Sequence, residues 1–166
     1  MRVLGIDPGT IRLGYGIIVG EEQMCMTCCG VLNFSSKKPI ETRLYSLYNE
    51  LSQIIAEHQP DEVAIEEPFV GRNTRSALAI GRAQAVAMLA ATNQGLPVYR
   101  YSPTEIKQQT TNYGASDKRQ VQEMIRLQLG LPQPPQPSDA ADALATAICH
   151  LQQRRLEFNI SSKLRA

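Results

Sequence analysis

Val3-Leu4-Gly5-Ile6-Asp7-Pro8-Gly9-Thr10 places a carboxylate at the end of an apolar run and follows it with turn residues. A short apolar run closed by Pro-Gly reads as a buried strand. An acid at the end of such a strand is costly unless something neutralises it. A second run, Val63-Ala64-Ile65-Glu66, ends the same way. Asp139 and Asp142 open a helix-like segment, Ser138-Asp139-Ala140-Ala141-Asp142-Ala143-Leu144. Three residues apart, they share a helix face, and a first helical turn favours negative charge. Taken singly, three of these acids have ordinary structural explanations; Asp7, before Pro-Gly, is the hardest to justify that way.

Outward from Asp7, the pattern gives three strands in hairpin order: Val3 to Gly9, Arg12 to Gly20, and Gln23 to Phe34 after a Gly20-Glu21-Glu22 turn. Thr42 to Gln59 reads as a helix, with Leu44, Leu47, Tyr48, Leu51, Ile54 and Ile55 on one face. A strand over Asp61 to Glu67, a helix over Ser76 to Asn93 and a strand over Leu96 to Tyr101 follow. Two helices near Thr104–Gln109 and Lys118–Leu129 come next. Pro132, Pro134, Pro135 and Pro137 form a connector that cannot be helical. Ser138 is expected to cap a last helix reaching about Gln153. This order predicts an α/β fold, a mixed five-stranded sheet flanked by helices. It matches the ribonuclease-H-like architecture, in which the first and fourth strands are neighbours and Asp7 would lie beside Glu66. The expected domain is 1–153, with 154–166 a loose C-terminal tail.

The 166 residues suit one domain. Net charge is only +1, yet its distribution is uneven. Residues 1–69 hold five Lys/Arg against ten Asp/Glu, and residues 70–126 hold eight against three. A basic middle beside an acidic site suits a metal-dependent nuclease, although a solvated charged face explains the segregation equally well. The opening residues carry no secretory pattern and no apolar stretch is long enough for a bilayer, so a cytoplasmic protein without membrane contact is expected. Cys25 and Cys28 have CxxC spacing, but the second pair that a zinc site needs is missing. The four cysteines are read as reduced, small apolar residues.

Together the four acids point to hard, oxygen-seeking cations such as Mg2+. Clustered carboxylates raise one another's pKa, and metal charge removes that penalty. The arrangement suits two-metal hydrolysis of a phosphodiester. Lys107 and Lys118 are placed to reach a phosphate. Arg72, Arg75 and Arg82 form a basic stretch after Glu66, and Phe69 beside it is a candidate base-stacking group. The segment from Ala77 to Ala91 holds one charge in fifteen residues and is apolar nearly all round. It reads equally as a central core helix or as an isologous dimer interface.

Three blocks carry a resemblance: Leu4-Gly5-Ile6-Asp7-Pro8-Gly9-Thr10 with Gly14-Tyr15-Gly16; Ala64-Ile65-Glu66-Glu67-Pro68-Phe69; and Asp139-Ala140-Ala141-Asp142-Ala143-Leu144-Ala145. In this order and spacing they resemble the RuvC family of Holliday-junction resolvases, through roughly Gln152. The resemblance implies that Asp7, Glu66, Asp139 and Asp142 are catalytic acids binding two Mg2+ per subunit, with Mn2+ able to substitute. It implies phosphate contacts for Lys107 and Lys118, a place near the junction centre for Phe69, and DNA contacts for Arg72 and, in the same loop region, Arg75. It makes the Ala-rich helix a homodimer interface. It implies paired symmetric nicks in a four-way DNA junction, in recombination and repair, alongside the RuvA–RuvB branch-migration complex. Gly5-Ile6-Asp7-Pro8-Gly9-Thr10 also looks like the first phosphate loop of sugar kinases and actin-like ATPases, but the duplicated half those need is absent. A non-catalytic module recognising nucleic-acid structure, or a nuclease acting on RNA, are the other readings on the same fold.

Overall fold

The structure, a computed structural model, describes residues 1–20, 23–67, 74–111, 114 and 116–163. Five strands form one sheet: β1 (Arg2–Asp7), β2 (Arg12–Gly20), β3 (Met24–Asn33), β4 (Glu62–Glu66) and β5 (Val98–Tyr101). Five helices flank it: α1 (Ile40–His58), α2 (Thr74–Asn93), α3 (Pro103–Thr111), α4 (Lys118–Gln128) and α5 (Ser138–Lys163). The strand order is β3-β2-β1-β4-β5. The first three strands are antiparallel, while β1 pairs β4 and β4 pairs β5 in parallel. The mixed ribonuclease-H-like sheet expected from the sequence is the one observed.

Strand alternation sorts side chains between two cores. Leu4, Ile6, Val63 and Ile65 face α1 and α2, where Leu47, Leu51, Ala83 and Ala87 are buried. Val3, Ile18 and Ala64 face the other way, toward Ile106 of α3, Val121 and Ile125 of α4, and Leu144 and Ile148 of α5. Fully burying each of Leu144 and Ile148 is worth about 1.5–3 kcal/mol. α5 lies so close to the sheet that a Cβ at Gly5 would overlap the Ala143 carbonyl, and one at Gly14 the Asp139 carbonyl. Glycine at these positions lets the helix that carries Asp139 and Asp142 rest directly on β1 and β2.

Local signals explain most boundaries. α1 ends where Gln59 takes a left-handed conformation and Pro60 follows. α4 begins with a capping box in which Asp117 and Gln120 each bond the other's backbone amide. The last helix departs from expectation at both ends. Ala140 and Ala141 donate to the Pro137 carbonyl, so Pro137 and not Ser138 stands at the cap. The helix does not stop near Gln153 but runs to Lys163. No Gly or Pro interrupts this stretch, and Arg154 pairs with Glu62 and Glu157, holding the extra turns to the domain. α2 is not a central core helix. It buries Ala83, Ala87, Ala90 and Ala91 and leaves Leu78 and Leu89 more than half exposed on the opposite side. Cys149 is buried as expected, whereas Cys25 is exposed.

Candidate active site at the end of the sheet

Register brings the first two acids together. Ile6 pairs with Ile65, so Asp7 and Glu66 come next on neighbouring strands. Alternation turns both toward α5: Gly5 and Ala64, two residues before them, pack on that side. Asp7, Glu66 and Asp142 then line one cleft of about 310 Å3, with Lys107, Lys118, Pro103, Ile106, Val121 and Ala145. Lys107 comes from α3 and Lys118 from the first turn of α4, so four elements besides β1 build the cleft. Lys118 Nζ lies 2.8 Å from Asp142 Oδ2.

The electrostatics reflect this crowding. Burial pushes the Asp7 carboxyl up to about 8, and the nearby Glu66, Asp142 and Asp139 push the same way while Lys118 opposes them. Burial, then Asp142, raises Glu66 to about 7, with Lys118 and Lys107 pulling back. A hydrogen bond to Asp142 raises the Lys118 ammonium above its ordinary value. Two buried carboxyls that ionise only near neutrality resist carrying charge side by side, and such pairs mark functional sites.

Asp139 sits differently. It does not line the cleft with the other three. Its Oδ2 meets an Arg12 guanidinium nitrogen at 2.7 Å. Carboxylate oxygens are the donors that hard divalent cations take, so the residue set fits Mg2+ or Mn2+ in chemistry. As the side chains stand, however, no three such groups among the described residues are arranged to hold a metal ion. Asp139 is turned to Arg12 and Asp142 to Lys118.

Of the other residues singled out by sequence, Arg75 is exposed in the first turn of α2 and does not line the cleft. Phe69 and Arg72 lie outside the described residues. Arg12 was missed by the sequence reading. Its signal was parity: it stands two residues before Gly14 on β2, hence on the same face. That face had meaning only once α5 was docked there.

Residues 3–150 match the family model for crossover junction endodeoxyribonuclease RuvC. A crossover junction endodeoxyribonuclease RuvC of Dehalococcoides mccartyi is 52% identical over 162 residues, covering 97% of each chain. The Thermus thermophilus RuvC structure superposes with a TM-score of 0.88 at 34% identity, covering 95% of this chain and 97% of that one. T. thermophilus RuvC in complex with Holliday junction substrate gives 0.89 at 34% identity, covering 95% and 96%. Three acids gathered at the end of an RNase-H-like sheet, and likeness over nearly the full length, agree: this chain belongs to the RuvC family of crossover junction endodeoxyribonucleases.

Proposed function

We propose that this protein resolves four-way DNA junctions as a Mg2+-dependent endonuclease. The observation that carries the reading is the shared cleft: Asp7, Glu66 and Asp142 meet Lys107 and Lys118 there, in a chain of the RuvC family. Asp7, Glu66, Asp139 and Asp142 are the residues that would hold two divalent ions per subunit, Mg2+ or Mn2+. When bound there, the ions supply Lewis-acid activation of water and charge stabilisation at the leaving 3′ oxygen. Lys107 and Lys118 hold the phosphate by charge and orient it over the cleft. Apolar Ile106, Val121 and Ala145 in the wall limit water access, which strengthens every charge interaction inside. Phe69, Arg72 and Arg75 follow Glu66 in sequence and are proposed to contact the DNA flanking the cut.

A homodimer is part of the proposal. The outer side of α2 exposes Leu78 and Leu89, with Arg82 and Ala85 between them. Two copies of this stripe packed about a two-fold axis would place identical clefts on equivalent phosphates. Paired, symmetric nicks follow from that symmetry. The protein would act in the cytoplasm, in recombination and repair, alongside the RuvA–RuvB branch-migration complex. No described helix is long and apolar enough to cross a membrane.

The test is strand cleavage of a mobile synthetic four-way junction with Mg2+ or EDTA, beside linear duplex and an RNA–DNA hybrid. Paired nicks on the junction alone, and only with Mg2+, support the reading. Tight binding without cutting would replace it with a recognition module. Cutting of the hybrid would replace the substrate. Asp7→Asn is expected to abolish cutting and keep junction binding.

A further inference from the structure

Both aspartates at the start of α5 are already taken by cations, and from two different elements. Lys118 of α4 holds Asp142 Oδ2, and Arg12 of β2 holds Asp139 Oδ2. Lys118 lines the cleft; Arg12, the first residue of β2, does not, and half of its side chain is exposed. A guanidinium carries five N–H donors in a rigid fork that matches phosphate oxygens two at a time. It cannot lose its charge. A pair exposed to this degree is worth only about 0–1 kcal/mol, so either partner can be exchanged at little cost.

We infer that Arg12 is a phosphate-binding residue that holds Asp139 before substrate arrives and passes to a backbone phosphate as DNA docks. Asp139 is then free to turn its oxygens toward the cleft that Asp7, Glu66 and Asp142 line. Until then the Arg12 pair keeps the fourth acid apart from the three that line the cleft. Full assembly of the cation site is thereby tied to substrate, and a chain without DNA keeps the acid neutralised. The inference rests on the proposed metal-dependent reading.

The experiment compares the parent, Arg12→Gln and Asp139→Asn for Mn2+ binding without DNA, by the electron paramagnetic resonance signal of free Mn2+. Junction affinity in EDTA is measured beside it across a salt series. Arg12→Gln should bind Mn2+ about 1.5- to 5-fold more tightly, the fold-change equivalent to losing one exposed ion pair. Its junction affinity should fall, and its log-affinity against log-salt slope should shrink by about one. In an Asp139→Asn background the Arg12 change should leave Mn2+ binding unaltered. Equal Mn2+ affinity in parent and Arg12→Gln would overturn the hand-over while leaving the metal reading intact. Weaker Mn2+ binding by Arg12→Gln would overturn it too, making Arg12 a support for the metal ligands. No Mn2+ bound by either chain would remove the metal reading and the inference with it.

Discussion

His150 Nε2 lies 2.5 Å from Glu62 Oε2, across 88 positions of sequence and inside the core. A carboxylate only accepts, so the ring carries its proton on Nε2. Nδ1 then accepts from the Tyr101 hydroxyl at 2.7 Å, and Arg154 holds the other Glu62 oxygen at 3.0 Å. Glu62 and Glu66 bound β4, whose four intervening steps span about 13 Å. Asp142 and His150 lie on α5, eight residues or about 12 Å apart. Helix and strand are thus tied at one end by an attractive pair, while the other end holds the like-charged Glu66 and Asp142.

This clamp should carry measurable stability. Tyr101→Phe leaves Nδ1 of a fully buried ring without a donor, a loss of about 1–3 kcal/mol. His150→Leu leaves Glu62 with Arg154 alone and should cost at least as much. Urea unfolding would register both as a lower midpoint at unchanged slope. A Tyr101→Phe midpoint equal to the parent's would mean that water or a rotated ring replaces the bond.

Metal-free stability should fall with rising pH because of Asp7. Its folded-state value of about 8 lies above the ordinary 3.8, so the folded protein binds that proton more tightly than the unfolded chain. The contribution is complete below the unfolded value and is lost as pH rises through about 8. Glu66 acts likewise between 4.5 and about 7. His150 runs oppositely: burial lowers its value from 6.5, so its contribution fades as pH falls below that. Asp7→Asn isolates the first effect. In EDTA it should melt above the parent at a pH of about 9, with the gap closing by about pH 5. A gap independent of pH would show that Asp7 ionises freely in the folded state.

Lys118 should set the pH at which divalent ions bind. It lowers the Asp7 and Glu66 values, and metal must displace the protons those groups hold. Replacing Lys118 with Met should move the pH midpoint of Mn2+ binding upward. It should also remove about one phosphate's worth of salt dependence from junction binding. A midpoint that stays put or moves down would mean that Lys118 acts on DNA alone.

Leu89 should report the proposed dimer. Leu89→Glu puts a charge in the exposed stripe of α2 without touching Ala83, Ala87 or Ala90 beneath. Light scattering should give a chain of 18.4 kDa, where the proposed dimer of the parent should give twice that mass. Circular dichroism should be unchanged, and paired nicking of the junction should be lost. A dimeric Leu89→Glu protein would move the interface elsewhere.

Much of the architecture was legible locally. Asp7 and Glu66 ended apolar runs, and alternation with a period of two is written in those runs themselves. The helix over Thr42–Gln59 followed from the spacing of its apolar residues, that over Ser76–Asn93 from a long run with a single charge, and the three motif blocks sufficed to suggest the family. The end of the last helix was not legible, because polar residues after Gln153 give no apolar stripe. What holds them is a pair between Arg154 and Glu62, 92 positions apart.

Which carboxylates exist, which strands and helices carry them, and the family the chain resembles can all be read along the chain. Tertiary structure alone decided that Arg12 meets Asp139, that Lys118 meets Asp142, and that His150 meets Glu62. The difference is one of range. Backbone periodicity is a property of neighbours, whereas each of these pairs depends on strand register and on the depth at which α5 rests over Gly5 and Gly14.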